Sequence, residues 1–299
     1  MGSQGRGGVL EGAFTRLGLL LLWMNSWLPW GMQRAAASGL GWMIFHFVPV
    51  RRHVVLVNLR TCFPDLSEPE RRSLAIRHYQ SLALGVMEVA RCWWRRPEEL
   101  PPFGIEGLEA LERARALGRG VIVVSGHFTT LEISGRMLTL KTRLCCLYRD
   151  PNNPVIAGVL RLHRTAWAAR AIEMRDMTGL LRALRDGEAV WYAPDQAKWT
   201  PQSVRIPFFG RPAITNTATA KLAQMSGAAV MTFFPVRLED GSYALRLAGP
   251  LEGFPSGDAK ADTRRLTSLL EDAVRAAPDQ YLWVHRRFKG HRGLPVNPY

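Results

Sequence analysis

Residues 118–127 read GRGVIVVSGH, and this stretch indicates the fold most directly. The four consecutive β-branched residues Val121–Val124 are typical of a short strand that is buried on both faces of a sheet. A predicted helix over Leu108–Leu117 ends at Gly118, and a second predicted helix begins at Leu131. Helix, strand and helix in succession are typical of an α/β domain, in which helices cover the faces of a sheet.

The same alternation continues along the chain in both directions. Upstream, Arg51–Arg96 has the apolar spacing of helices, and Ser67-Glu68-Pro69-Glu70 is a helix start signal. Further predicted strands lie at Leu144–Tyr148, Ala171–Met174, Ala189–Ala193 and Ala229–Val236, and further predicted helices at Pro154–Ala168, Met177–Arg185 and Thr215–Met225. We therefore expect an α/β fold with a mixed, mostly parallel sheet flanked by helices.

The N-terminal 50 residues form a hydrophobic segment. Leu17–Gln33 and Ala35–Val50 carry no formal charge, and Arg34 separates them. A helix over Leu17–Gln33 is about 25 Å long, slightly shorter than a hydrocarbon core of ~30 Å. A span through both stretches would instead place Arg34 in the middle of the bilayer, which is costly. Two interpretations stay open: one short membrane span, or helices that lie in the membrane interface.

Residues around this segment bear on its orientation and on a third interpretation, a cleaved signal peptide. Ala35–Ala37 imitates a cleavage site, but the acidic Glu11 does not suit the basic region that begins a signal peptide. Arg51 and Arg52 follow the segment, and the bias of basic residues toward the cytosol places the rest of the chain there. The tryptophans that suit headgroup depth in this segment are Trp23, Trp27, Trp30 and Trp42.

The charge balance limits the class of partner. The chain has 39 Lys and Arg residues against 25 Asp and Glu residues, which gives a formal net charge of +14. This surplus favours a polyanionic partner, and nucleic acid, anionic lipid and an acidic carrier protein all satisfy that condition. The four cysteines lack the spacing of a disulfide scaffold or a zinc site; they are Cys62, Cys92, Cys145 and Cys146.

Polar residues follow three of the predicted strands. The stretches are Ser125-Gly126-His127, Tyr148-Arg149-Asp150 and Tyr192-Ala193-Pro194-Asp195. In α/β sheets, binding and catalytic residues collect where parallel strands end and loops begin. We therefore expect the functional site at these three strand ends.

His127 and Glu132 give the sharpest local signal, and it has two interpretations. Residues five positions apart do not share a helical face, but they can meet if His127 lies in the loop and Glu132 in the first helical turn. A carboxylate on one imidazole nitrogen would leave the other nitrogen free to take a proton. Alternatively, Thr129 and Glu132 form a capping box at the helix start.

Two functions from other classes fit parts of the pattern. A metal-dependent hydrolase could use His127, Glu132, His163 and Asp195, but the chain has no HExxH motif. A non-enzymatic membrane adaptor needs only the basic, tryptophan-rich surface, and it gives no reason for polar residues at three strand ends.

The ordered set of motifs resembles a known family. His127 and Glu132 after an apolar strand resemble the His-x4-Asp/Glu motif of the glycerolipid acyltransferase superfamily. Later stretches resemble one branch of it, the late acyltransferases of lipid A biosynthesis. These stretches are Tyr148–Pro154, Gly187–Asp195, Val204–Phe209, Ala223–Gly227 with Phe234-Pro235, and Pro278–Lys289. Pro194-Asp195-Gln196 stands where glycerolipid relatives usually have Pro-Glu-Gly, which makes lysophosphatidate a less suitable acceptor.

The resemblance implies a glycerol-3-phosphate acyltransferase-like fold and direct acyl transfer from a thioester to an alcohol, without an acyl-enzyme. It implies that His127 is the general base and that Glu132 orients the imidazole. It assigns Arg149 to a phosphate of the acceptor or to charge at the reacting centre. Asp195 is expected to hold the Arg149 guanidinium or a sugar hydroxyl, and Arg164 to widen the phosphate-binding surface. Each assignment has a structural alternative: a solvated arginine at a strand end for Arg149, a turn residue after Pro194 for Asp195, and a solvated basic face for Arg164.

The resemblance also implies the substrates and the location. In this family the donor is acyl carrier protein, and the acceptor is a hydroxyl of a 3-hydroxyacyl chain on a Kdo-bearing lipid A precursor. We expect residues 1–50 to anchor the protein in the cell inner membrane and residues 51–299 to form an acyltransferase domain facing the cytoplasm. Anionic membrane lipids are expected partners, whereas nucleic acid, a metal and a cofactor are not. An acyltransferase for lysophosphatidate, ornithine lipid or a glycolipid is the alternative.

Overall fold

The computed structural model describes residues 4–197, 199–289 and 298–299. The helices are α1 (Gln4–Ser26), α2 (Trp30–Phe47), α3 (Arg52–Cys62), α4 (Glu68–Trp94), α5 (Leu108–Ala116), α6 (Leu131–Thr139), α7 (Pro154–Trp167), α8 (Met177–Arg185), α9 (Ala218–Ser226) and α10 (Ala259–Ala276). The strands are β1 (Phe103–Glu106), β2 (Val121–Val124), β3 (Cys145–Tyr148), β4 (Arg170–Glu173), β5 (Ala189–Tyr192), β6 (Ser203–Phe208), β7 (Arg211–Asn216), β8 (Ala229–Arg237) and β9 (Tyr243–Ala248).

The main sheet has seven strands in the order β1-β9-β8-β2-β5-β3-β4. All neighbouring pairs are parallel except β8 and β9, which are antiparallel. A separate antiparallel hairpin joins β6 and β7. The mixed, mostly parallel sheet flanked by helices is thereby confirmed, although the helix predicted from Thr215 begins only at Ala218, because Thr215 belongs to β7.

The centre of the sheet is buried on both faces, as the β-branched run in β2 predicts. Val121 and Val123 pack on one face with Met137, Trp191 and Phe233. The alternate residues of β2 pack on the other face, in a cluster with side chains of α8 and α9. Since successive side chains of a strand point to opposite faces, one short strand contributes to both cores.

Helix α4 begins as its start signal predicts and carries the N-terminal helices. The Ser67 hydroxyl accepts from the Glu70 backbone N–H, and the Glu70 carboxylate accepts from the Ser67 backbone N–H at 2.7 Å, which completes a capping box. Helix α2 packs on α4 through its buried face. Gly41 makes this close packing possible, because a Cβ at that position would overlap the backbone of Gln80.

The hydrophobic N-terminal segment is divided differently from the sequence expectation. The stretch Leu17–Gln33 is not one helix, because α1 ends at Ser26 and Pro29 precedes α2. Proline disfavours the helical conformation of the residue before it, which explains the break. In the described part of the chain, no single helix is long and apolar enough to cross a membrane; α2 and α3 reach that threshold only as a pair bent by 96°.

Candidate active site

Two loops at one edge of the sheet carry the centre of the site. His127 is the third residue after β2, and Asp195 is the third residue after β5. The two strands are parallel neighbours, and their last residues, Val124 and Tyr192, are partners in the register. Chain segments that leave paired strands in register reach the same place, so the strand pairing itself brings His127 and Asp195 together.

The two side chains form a short, buried hydrogen bond. His127 Nδ1 lies 2.6 Å from Asp195 Oδ1, and the His127 backbone N–H donates to Asp195 Oδ2 at 3.1 Å. The Tyr281 hydroxyl donates to the same Oδ2 at 2.9 Å. The Asp195 side chain is 4% exposed, whereas that of His127 is 26% exposed. The carboxylate is therefore fixed by three donors, while one side of the imidazole still reaches the surface.

Each member of this pair changes the pKa of the other. Burial lowers the pKa of His127. The charge of Asp195 and its hydrogen bond raise that pKa by more than burial lowers it, so the pKa of His127 lies above its ordinary value. Burial raises the pKa of Asp195, and the opposing effects of His127 and of its hydrogen bonds lower it to about 2. Asp195 is consequently ionised throughout the neutral range, and it favours the protonated imidazole.

The hydrogen bond also selects the tautomer. An ionised carboxylate only accepts, so Nδ1 of His127 carries the hydrogen and Nε2 of the neutral ring presents its lone pair. In the described part of the chain, no hydrogen bond reaches Nε2. An imidazole of this kind can remove a proton from a bound hydroxyl and is stabilised as it becomes charged.

Residues 280–282, near the C-terminus, hold in place the loop of residues 125–130, which we call the histidine loop. The Leu282 backbone N–H donates to the His127 carbonyl at 2.9 Å, and the Thr129 N–H donates to the Gln280 carbonyl at 2.7 Å. Phe128 and Tyr281 form an isolated antiparallel bridge between these bonds. The sequence reasoning assigned no role in the site to Tyr281; the signal that could have found it is its place in the closing stretch that resembles the family.

Glu132 occupies the predicted position but makes a different contact. It is the second residue of α6, in the first turn after the histidine loop. Its carboxylate forms an ion pair with Arg164 on α7, and both side chains are 15% exposed. The expected contact with His127 is not formed, because the imidazole hydrogen bond goes to Asp195 instead. The guanidinium is always charged, so it is the stronger partner for a half-buried carboxylate.

The capping-box interpretation of Glu132 is also wrong. The N-cap of α6 is Thr130, without a side-chain hydrogen bond to the helix. The hydroxyl of Thr129 instead lies 2.8 Å from that of Ser81 on α4. Glu132 therefore does not cap the helix, and its ion pair is formed with Arg164.

The remaining basic candidates are not brought to Asp195. Arg149 is exposed, and in the described part of the chain its guanidinium makes no hydrogen bond or ion pair. Arg161 pairs with Asp150 at 2.6 Å in an exposed position. His163 stacks on the ring of Trp93, with centroids 5.2 Å apart. Of the basic candidates on α7, Arg164 is the one that the structure ties to the first turn of α6, through Glu132.

The four residues considered for a metal site are not grouped around a common point in the part of the chain that the structure describes. Among the described residues, no group of three or more His, Cys, Asp or Glu side chains is placed to hold a metal ion. The members of the set considered above have other partners, since His127 and Asp195 bond to each other and Glu132 binds Arg164.

Comparisons with known proteins agree with the resemblance in the motifs. The family model for bacterial lipid A biosynthesis acyltransferases matches residues 8–290. The chain is 34% identical to a lipid A biosynthesis lauroyltransferase of Escherichia coli (strain K12), over 94% of this chain and 93% of that protein. It is 35% identical to a lipid A biosynthesis palmitoleoyltransferase of the same strain, over 92% and 90%. A lipid A biosynthesis acyltransferase of Haemophilus influenzae is 29% identical over 88% and 86%.

Proposed function

This chain belongs to the bacterial lipid A biosynthesis acyltransferase family, and from that membership we propose the reaction that its site performs. The protein transfers a fatty acyl chain from acyl carrier protein to the hydroxyl of a 3-hydroxyacyl chain on a Kdo-bearing lipid A precursor. The observation that carries the proposal is the 2.6 Å hydrogen bond between His127 and Asp195, which leaves Nε2 of the imidazole available as a base.

His127 acts as the general base in this reaction. Nε2 removes the proton of the acceptor hydroxyl as its oxygen attacks the thioester carbonyl. When the tetrahedral intermediate collapses, the carbon–sulfur bond breaks and the imidazolium returns the proton to the leaving thiolate. Asp195 keeps the imidazole in the required tautomer and stabilises its charged form. No protein nucleophile takes part, so no acyl-enzyme forms.

Arg164 and Arg149 serve the acceptor in this proposal. Glu132 fixes the Arg164 guanidinium beside the histidine loop, and a fixed guanidinium can bind phosphate oxygens with two parallel hydrogen bonds. Arg149 lies exposed after β3, the strand next to β5, where it can meet a second anionic group. Both roles suit a bis-phosphorylated acceptor.

The N-terminal helices suit the surface of the cell inner membrane. Large apolar side chains are exposed along α1, α2 and the turn between them, including Phe14 at 72%, Trp27 at 59% and Phe47 at 74%. Trp30 is an exception to the expected belt, since it packs under the Arg91 guanidinium and donates to the Gly241 carbonyl. We propose that the exposed apolar side chains enter the cytoplasmic leaflet, while the net charge of +14 attracts anionic lipid and acidic carrier protein.

Deletion of the gene tests the function in cells. We expect lipid A from the deletion strain to lack one secondary acyl chain in mass spectrometry, and we expect the wild-type gene on a plasmid to restore it. The His127→Ala gene serves as the matched control and should not restore the chain. Unchanged lipid A together with an altered phospholipid or ornithine-lipid profile would contradict the proposed acceptor and support the alternative one.

The ion pair of Glu132 gives a second test. We expect Glu132→Gln to lower kcat/KM by about tenfold or more, because the Arg164 guanidinium loses its partner and a charge-assisted contact is worth roughly 1.5–3 kcal/mol. Asp150→Asn is the matched control: it breaks the exposed Arg161 pair on the same helix, and exposed pairs contribute only about 0–1 kcal/mol. Equal kcat/KM values for the two variants and the wild type would show that Glu132 has no role in acyl transfer.

A further inference from the structure

A cavity that is open to the surface lies between α2 and α4, and His127 and Asp195 do not line it. Its volume is about 440 Å³, which is within the usual range of about 300–1,000 Å³ for small-molecule sites. We call it the α2–α4 cavity, and its walls are two matching helical rows with a floor beneath them. The lining residues are Gly31, Arg34, Ala35 and Ser38 on α2, Arg77, Gln80, Ser81 and Leu84 on α4, and Arg237 and Asp279 on the floor.

The sequence explains why the space is open. In each row the residues recur at spacings of three and four, so each row is one face of its helix. The row on α2 is made of small side chains apart from Arg34. A Cβ at Gly31 would meet no atom within 4 Å. The run of small residues near Ala35 therefore leaves room between two helices that pack closely further along, at Gly41.

The base of the cavity is formed by a buried arginine, Arg237, whose position is fixed by several contacts. The Arg237 side chain is 8% exposed and pairs with Glu88, which is 1% exposed. Arg237 also donates to the Ser81 hydroxyl at 3.0 Å. The Gln280 side chain fixes its backbone, accepting from the N–H and donating to the carbonyl, both at 2.9 Å. A charged group is thus held at the base of the cavity with little freedom to move.

The walls add positive charge, which acidic residues outside the lining compensate only in part. Arg34 donates to the carbonyls of Glu239 and Asp240, and Arg77 donates to the Ser73 hydroxyl. In the part of the chain that the structure describes, neither guanidinium forms an ion pair with a carboxylate. Glu88, which is not part of the lining, compensates Arg237, and Asp279 is the acidic residue among those that line the cavity. Besides the hydrogen bonds from Ser242, the Arg34 guanidinium also lowers the pKa of Asp240, which does not line the cavity. The lining itself holds three guanidinium groups and one carboxylate, so the surface of the cavity is positive.

Apolar residues stand beside this positive cavity. Met32 is 56% exposed and Leu40 is 39% exposed, and both lie on α2, the helix that forms one wall. A ligand with a charged head and an apolar body matches such a border better than a purely polar ligand does. We propose that the α2–α4 cavity binds the phosphate of an anionic amphiphile, at a site separate from the His127–Asp195 pair. Its occupancy can be measured without acyl transfer.

Calorimetric titration of the full-length protein in non-ionic detergent tests the site. The probes are dihexanoylphosphatidylglycerol and inorganic phosphate. We expect Arg77→Gln to weaken lipid binding about tenfold, as for loss of a charge-assisted hydrogen bond. We expect Asp279→Asn to strengthen it, because the variant removes the repelling carboxylate. Arg113→Gln is the control for charge, since Arg113 lies on α5 and does not line the cavity.

A steric pair of variants tests the same cavity without changing its charge. Gly31→Leu should fill the open space and weaken binding, whereas Gly39→Leu should not. Gly39 is on the same helix and is equally free of neighbours, but it does not line the cavity. Thermal denaturation of each variant checks that it is folded.

The two probes distinguish the source of the phosphate. If only the lipid binds with this dependence on the variants, the ligand is a lipid headgroup. If inorganic phosphate shows the same dependence, the cavity recognises free phosphate. Failure of both probes to bind, or equal affinities for Arg77→Gln and Arg113→Gln, would overturn the proposal. So would equal affinities for Gly31→Leu and Gly39→Leu.

Discussion

The His127→Ala variant is expected to lose acyl transfer by on the order of 10²–10⁴-fold in kcat, the range that a positioned general base contributes. In this variant no side chain is in place to remove the proton from the substrate hydroxyl that attacks the thioester. Substrate binding should change much less, because the contacts to the acceptor phosphates are assigned to other residues. A purified-enzyme assay with an acyl carrier protein thioester and the lipid A precursor measures both parameters.

Loss of the imidazole also leaves a buried carboxylate without its partner, so folding needs its own control. His127→Gln provides it, because the amide can still donate to Asp195 but cannot act as a base. We expect this variant to denature close to the wild-type temperature and to be as inactive as His127→Ala. Turnover within a factor of about ten of wild type in the folded variant would exclude His127 as the base.

The second large effect is expected for Asp195→Asn, with a loss approaching that of His127→Ala, on the order of 10²–10⁴-fold. An amide does not stabilise the imidazolium as a carboxylate does, and it permits the wrong tautomer. Tyr281→Phe is the graded comparison: it removes one hydrogen bond to Asp195 and should cost about tenfold or less.

The pH profile separates this positioning role from a merely structural one. A base must be neutral to act, so kcat/KM of the wild type should fall as the pH drops through the pKa of His127, which lies above its ordinary value. In Asp195→Asn burial still lowers that pKa, and the opposing charge is gone. The acidic limb of the profile should therefore move to lower pH. An unshifted limb would contradict the coupling between the two residues.

Much of the fold was predictable because its signals are local. The β-branched run of β2, the start signal of α4 and the helix over Met177–Arg185 all agree with the structure. The sequence expectations do not include β9 or α10, although each has a local pattern. Residues alternate between buried and exposed positions in β9, and Leu266, Leu270 and Val274 recur on one face of α10.

The location of the site was predictable from the sequence, but the hydrogen bond between His127 and Asp195 was not. The polar residues at the strand ends indicate that the segments after β2, β3 and β5 meet at one edge of the sheet. In the sheet, β5 lies between β2 and β3, so these three strands are adjacent. Which carboxylate reaches His127 depends on the register of β2 with β5 and on the position of α7, and neither is encoded locally. Glu132 is near His127 in sequence, but the strand pairing favours Asp195 and the Arg164 guanidinium engages Glu132.

The tie between the histidine loop and Gln280–Leu282 has a consequence for biosynthesis. Ribosomes make the chain from the N-terminus, so the apolar helices and His127 are both synthesised long before residues 280–282, which hold the loop of His127. With the membrane association proposed above, a nascent chain would reach the lipid surface before His127 is held in place. We expect a chain that stops a few codons before Gln280 to lack acyl transfer, because the segment that holds the loop of His127 is missing.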